Sequence, residues 1–139
     1  MNSLQIKLLG ALYALTISVG TQAQNVSAVQ TPLGEKIYKQ TCVTCHASGL
    51  ANAPKFGDKK AWKPLIAEGQ HVLTAHAWVG VRAMPAKGGQ PDLSLEDFSK
   101  AVVYMARAAG ANWQDPDKQM LEKIRKEEQI RLKRLKDKN

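Results

Sequence analysis

Cys42-Val43-Thr44-Cys45-His46 constrains this chain more than any other stretch. These are the only two cysteines in 139 residues, so no disulfide framework can staple the fold. C-x-x-C-H is the spacing of covalent c-type haem attachment. Two thiols on one helical turn reach the two vinyl groups of a single porphyrin, and the residue after the second thiol lies under the iron. Three other readings compete. A zinc site wants four N/S ligands, and His71 and His76, five apart, would complete a Cys2His2 set on paper. That set leaves His46 without a role. A redox dithiol wants a βαβ setting, and no strand alternation lies nearby. The last is chance spacing. What precedes and follows the motif favours haem.

Before it stands an export signal. Lys7 is the only charge in residues 1–23, and residues 8–20 form a 13-residue, mostly apolar run. Thr21-Gln22-Ala23 places small residues at −3 and −1 of a cleavage site before Gln24. Thirteen residues are short for a bilayer span, which sets cleavage against the alternative of a retained anchor. Haem is attached to C-x-x-C-H outside the cytoplasm, so signal and motif agree. Residues 24–31 are a polar linker.

Pro32 suits a helix start. Residues 34–41 read as a short helix running into the motif. Gly34 and Tyr38 lie eight and four residues before Cys42, on one helical face. A glycine there lets a second helix cross close by. Residues 47–60 lack a period and are rich in Gly, Ala, Pro and Asn, so they form a loop. The carbonyl of Pro54 in this loop can accept a hydrogen bond from the far nitrogen of His46, fixing its tautomer; a plain turn proline is the alternative.

Residues 61–68 and 70–79 read as two short helices divided by Gly69, with Pro64 in the first turn of the first. Trp62 either caps the haem edge, donating its indole N–H to a propionate, or is a core aromatic with that N–H in water. His71 and His76 are candidate sixth ligands, although a surface or hydrogen-bonded histidine is commoner. The second informative stretch is residues 80–92. Met84 precedes Pro85, which pushes it into an extended conformation. A thioether so held can face the iron from the side opposite His46; it is a soft, weak donor that raises the potential. A loop or core methionine is the alternative, and Met105 is the other candidate in the domain.

Residues 93–109 form the clearest helix, capped by Ser94, with Glu96 and Asp97 complementing its dipole and Gly110 as its stop. It would cross the first helix at Gly34, with Tyr104 near Tyr38. Residues 115–139 differ in kind: nine Lys or Arg, six Asp or Glu and few apolar residues. Glu122–Lys126 and Glu127–Arg131 fall at i, i+4. The expectation is a solvated, partly frayed helical tail, with a docking or membrane-surface element as the other reading.

From Gly34 to Ala109 the chain resembles the class I cytochromes c, most closely the cytochrome c5 group. The resemblance rests on Gly34, Tyr38, the Cys42–His46 motif, the Ala53-Pro54…Gly57-Asp58 loop, Trp62, the Met84-Pro85…Gly88-Gly89 loop, and the Leu93-Ser94…Glu96 start of a helix ending in Tyr104-Met105. It implies an all-α fold of four to five helices around one covalent haem c. Cys42 and Cys45 would carry the thioethers, His46 and Met84 the axial bonds, and Pro54 the carbonyl partner of His46. The extra cysteine pair of some c5-group members is absent here, and the charged tail has no counterpart in the usual pattern.

The organisation expected is a signal over 1–23, a linker over 24–31, a cytochrome c domain over 32–114 and a charged helical tail over 115–139. With protein donors on both faces of the iron, the function expected is one-electron transfer between respiratory redox partners in the periplasm, not enzymatic catalysis. The alternative is a haem subunit docked permanently to an oxidoreductase, for example one oxidising sulfur compounds. A gas-binding sensor is a third. Net charge is +8, and Lys39, Lys55, Lys59, Lys60, Lys63 and Lys87 cluster in sequence around the haem-binding loops. They would steer redox proteins that are acidic at the docking site. No nucleic-acid partner is expected, membrane-surface contact would run through the basic tail, and the protein would be a monomer.

Overall fold

The first helix, α1, carries the haem motif itself. It is α-helical over Pro32–Ile37, widens to π geometry over Tyr38–Cys42 and returns to α over Val43–His46. A π-helical turn that ends on Cys42 is of the kind found at functional sites. These details come from a computed structural model, which describes residues 32–138. The export signal and the linker read from the sequence, residues 1–23 and 24–31, lie outside the described residues.

Four further helices follow: α2 (Lys59–Ala67), α3 (Gln70–Val79), α4 (Leu95–Ala108) and α5 (Lys118–Lys136). Three of them, α2, α4 and α5, start at a side-chain cap. Asp58 accepts the N–H groups of Lys60 and Ala61 at 3.0 and 3.1 Å. Ser94 accepts that of Asp97 at 3.1 Å, and Asp117 that of Met120 at 2.7 Å. Helix α2 begins two residues earlier than the sequence suggests. Pro64 therefore sits in its interior, not its first turn, and removes one i→i−4 bond there.

Helices α1 and α4 cross at Gly34, where a Cβ would stand 2.5 Å from the Lys100 carbonyl oxygen. Tyr38, Phe56 and Tyr104 close the crossing as a three-ring cluster, with centroids 4.6, 5.6 and 5.2 Å apart. Ile37, Tyr38 and Cys42 of α1, Trp62 of α2 and Ala101, Met105 and Ala106 of α4 form the buried core.

Helix α5 corrects the sequence reading. It is not a solvated, frayed tail but lies against α3, with Ile124 fully buried beside Ala75 and Leu95. Met120 and Leu121 flank it. The apolar residues are few, yet 120, 121, 124 and 132 share one side of the helix, and all four leave the solvent at least in part. The connection is tied down as well. Arg107 donates to the Trp113 carbonyl at 2.6 Å and pairs with Asp115 at 3.5 Å, and Gln70 donates to the Gln114 carbonyl at 2.8 Å. Docking sorts the charges of α5. Glu127 and Glu128 are half-buried toward α3, while Lys123, Arg125, Lys126, Lys133, Arg134 and Lys136 stay exposed.

Candidate functional site

The end of α1 presents Cys42, Cys45 and His46 within two turns. Both thiols are free; Cys42 is buried and Cys45 half-buried. Burial, and then the neighbouring Cys45, push the Cys42 thiol up to about 11, so it is neutral near pH 7.

His46 is buried, and its Nδ1 lies 2.9 Å from the Pro54 carbonyl oxygen. A carbonyl only accepts, so Nδ1 holds the proton and donates. The Nε2 lone pair is thereby left for a ligand bond, and the ring orientation is fixed. The 47–58 loop is folded back to make this bond: the Phe56 N–H donates to the His46 carbonyl at 2.6 Å. Trp62, 3% exposed, holds the same loop. Its indole N–H donates to the Lys55 carbonyl at 2.8 Å, and its ring centre lies 6.3 Å from that of His46. That N–H thus meets a backbone carbonyl seven residues away, an acceptor the sequence did not suggest.

Met84 lies between α3 and α4. Its backbone exchanges two hydrogen bonds with Val81, at 2.9 and 3.1 Å, and it packs beside Ala77, Phe98 and Val102. Pro85 follows in an extended conformation. The loop then curls through Lys87, Gly88 and Gly89, all at positive φ. A Cβ on Gly88 would stand 3.3 Å from the Thr41 methyl, so the Met84 loop folds onto the residue preceding Cys42. The two stretches singled out in the sequence thus meet.

Two of the competing donors, Met105 and His76, are engaged elsewhere. Met105 is a core residue, 3% exposed, in the cluster with Ile37 and Cys42. His76 sits between Glu68 at 3.2 Å and Glu127 at 3.8 Å. Among the described residues no group of three or more His, Cys, Asp or Glu converges on a metal-ion site, which removes the Cys2His2 zinc reading. Nor do they include a strand, so the βαβ dithiol setting is absent. Two free thiols beside an imidazole with a fixed tautomer form a donor set that fits a covalently held porphyrin. Thr74 Oγ1 on α3 is buried with no hydrogen-bond partner among the described residues, as a fold completed by a further polar group would leave it.

Sequence reasoning passed over Trp78. Its indole N–H donates to Glu128 of α5 at 3.0 Å, its ring meets Phe98 edge-on at 5.4 Å, and Lys87 Nζ lies 4.7 Å from the ring centre. The Lys87–Trp78 pairing across nine residues gives no signal in either periodicity or motif.

Residues 29–105 match the family model described as cytochrome c oxidase, cbb3-type, subunit III. Cytochrome c-555 of Chlorobaculum thiosulfatiphilum is 43% identical over 76 residues, which span 52% of this chain and 88% of that protein. Cytochrome c5 of Azotobacter vinelandii is 37% identical over 75 residues, 52% of this chain and 90% of that one. A chain in the crystal structure of an electron transfer complex of nitrite reductase with cytochrome c is 50% identical. It superposes with a TM-score of 0.54 over 56% of this chain and 95% of its own. The family model ends before α5.

Proposed function

The chain belongs to the class I c-type cytochromes, electron-transfer proteins with one covalent haem c, and from that premise we propose an exported carrier with the following site. Cys42 and Cys45 would hold the haem through thioether bonds to its two vinyl groups. His46 Nε2 and Met84 Sδ would be the two protein donors to its iron. When bound, the haem supplies an iron that cycles between ferrous and ferric states. The chain's own residues keep that cycle free of side reactions. The 2.9 Å bond to Pro54 carries this proposal, because it holds His46 in the one tautomer that can bind a metal through Nε2. The paired backbone of Val81 and Met84 holds the opposite donor with little freedom to swing away. A site filled by protein on both faces favours electron transfer over substrate binding.

The leader-like residues 1–23 support a periplasmic location, and no helix among the described residues is long and apolar enough to cross a membrane. The partners proposed are redox proteins, as for the cytochrome solved with nitrite reductase. Of the six lysines read around the haem loops, Lys39 is paired with Glu35 at 2.6 Å, and Lys87 is held by Trp78 and the Pro91 carbonyl. Lys55, Lys59, Lys60 and Lys63 remain exposed to meet an acidic docking face. The alternative of a permanently docked haem subunit leaned on the tail as its docking element. Since α5 packs Ile124, Met120 and Leu121 onto its own domain, a monomeric carrier is better supported.

Optical and potentiometric titration of the exported protein tests the site. Met84→Ala should abolish the ferric methionine–iron charge-transfer band and lower the midpoint potential. An unchanged band would reject Met84 as the ligand.

A further inference from the structure

Helix α5 reaches the upstream end of the Met84 loop directly and its downstream end through Trp78. At the upstream end, Arg131 Nη2 lies 3.4 Å from the carbonyl of Gly80. Gly80 is pressed against the loop itself: a Cβ there would stand 3.0 Å from Ala86 N and 3.2 Å from Met84 O. At the downstream end, Glu128 accepts the Trp78 indole N–H at 3.0 Å, and the Trp78 ring carries Lys87 above it at 4.7 Å. Lys87 is fastened further by its 2.7 Å bond to the Pro91 carbonyl. The Trp78 and Met84 side chains share the Ala77–Phe98–Val102 cluster, so a shift of the indole is felt at the thioether. Ile124, fully buried against Ala75 and Leu95, anchors the helix that supplies both contacts.

We propose that α5 is a brace for the distal ligand, with Glu128 and Arg131 as positioning residues that keep the Met84 thioether on the iron. This rests on the reading of Met84 as that ligand. A thioether is a weak donor, so its residence depends on how rigidly the protein presents it. Neither Glu128 nor Arg131 touches the haem site; each acts through a neighbour, Glu128 through Trp78 and Arg131 through Gly80. A carboxylate accepting an N–H contributes more than a neutral acceptor. Removing both contacts should therefore raise the fraction of molecules with Met84 off the iron by about tenfold.

The test uses four full-length holoproteins: wild type, Met84→Ala, the double variant Glu128→Ala/Arg131→Ala, and Glu128→Gln. Two signals are read. One is the rate at which the ferrous protein binds carbon monoxide at neutral pH. The other is the denaturant midpoint for loss of the ferric charge-transfer band, set against that for loss of helical circular dichroism. The double variant should bind carbon monoxide about tenfold faster than wild type and lose the band before the helices melt. Glu128→Gln keeps an amide oxygen for the indole but loses the charge, so it should fall between wild type and the double variant. A double variant within twofold of wild type on both signals overturns the brace, as does a Gln variant as fast as the double variant. If Met84→Ala keeps the band, the ligand reading itself has failed. If Met84→Ala loses it while the double variant is silent, only the brace has failed.

Discussion

Gly34 of α1 lies so close to Lys100 of α4 that a Cβ on it would stand 2.5 Å from the lysine carbonyl oxygen and 3.3 Å from Tyr104 Cβ. The obstacle is backbone, which cannot rotate aside. Gly34→Ala must then push the two helices apart and loosen the Tyr38–Tyr104 contact. The expected loss is about 3 kcal/mol, seen as a fall of more than about 10 °C in the melting temperature of the holoprotein. A change of a degree or two would mean that the crossing is looser than described.

Trp62→Phe keeps most of the buried ring and deletes one donor. The Lys55 carbonyl then loses its partner within a half-buried loop, for about 1–3 kcal/mol. The same loop presents the Pro54 carbonyl to His46, so this variant should also lower the basicity of the imidazole and shift the midpoint potential. Potentiometry beside thermal unfolding checks both parts.

Gly80→Ala combines a backbone strain with a clash. Its φ is +99, where an L side chain is disfavoured by about 1–3 kcal/mol, and the new methyl would meet Ala86 N at 3.0 Å. The disturbance falls on the segment that holds Met84. A weakened ferric charge-transfer band should therefore appear well below the melting temperature, as an optical scan would show.

Ile124→Ala empties a fully buried position between α5 and α3. If α5 is part of one cooperative unit, the loss is about 2–5 kcal/mol and falls on the main unfolding transition. Differential scanning calorimetry that showed a separate early transition for the helix, with the main one unmoved, would contradict this.

Charge reversal of the exposed Lys59, Lys60 and Lys63 should slow electron exchange with an acidic redox protein by about tenfold at low ionic strength. The gap between variant and wild type should close as salt is raised, because exposed charges are screened beyond about 10 Å at 0.1 M. Stopped-flow rates across a salt series read this out.

What the sequence discloses of this fold follows from how local each constraint is. Cys42, Cys45 and His46 are legible because attaching one cofactor at two points fixes their spacing. The crossing at Gly34 is legible because positions four and eight residues apart share a helical face. The bond between His46 and Pro54 could be named, since a proline carbonyl eight residues on is a short reach. The acceptor for the Trp62 N–H could not, because every residue offers a carbonyl and sequence does not mark which one turns inward. The π widening over Tyr38–Cys42 leaves no compositional trace either. Helix α5 was the largest gap. Its apolar positions are diluted by charge, and its partners Ala75, Trp78 and Gly80 lie some fifty residues upstream, beyond the reach of any periodicity.

The sorting of charge on α5 has a consequence for approach to this protein. Glu127 and Glu128 face α3, and the outward side carries Lys123, Arg125, Lys126, Lys133, Arg134 and Lys136. The segment 115–139 carries only +3 of the formal +8, yet its exposed basic residues line one side of the helix. A charge distribution of this kind exerts torque as well as attraction. An anionic body nearing the molecule rotates it before touching it, and the first surface offered is chosen by that moment and not by chance collision.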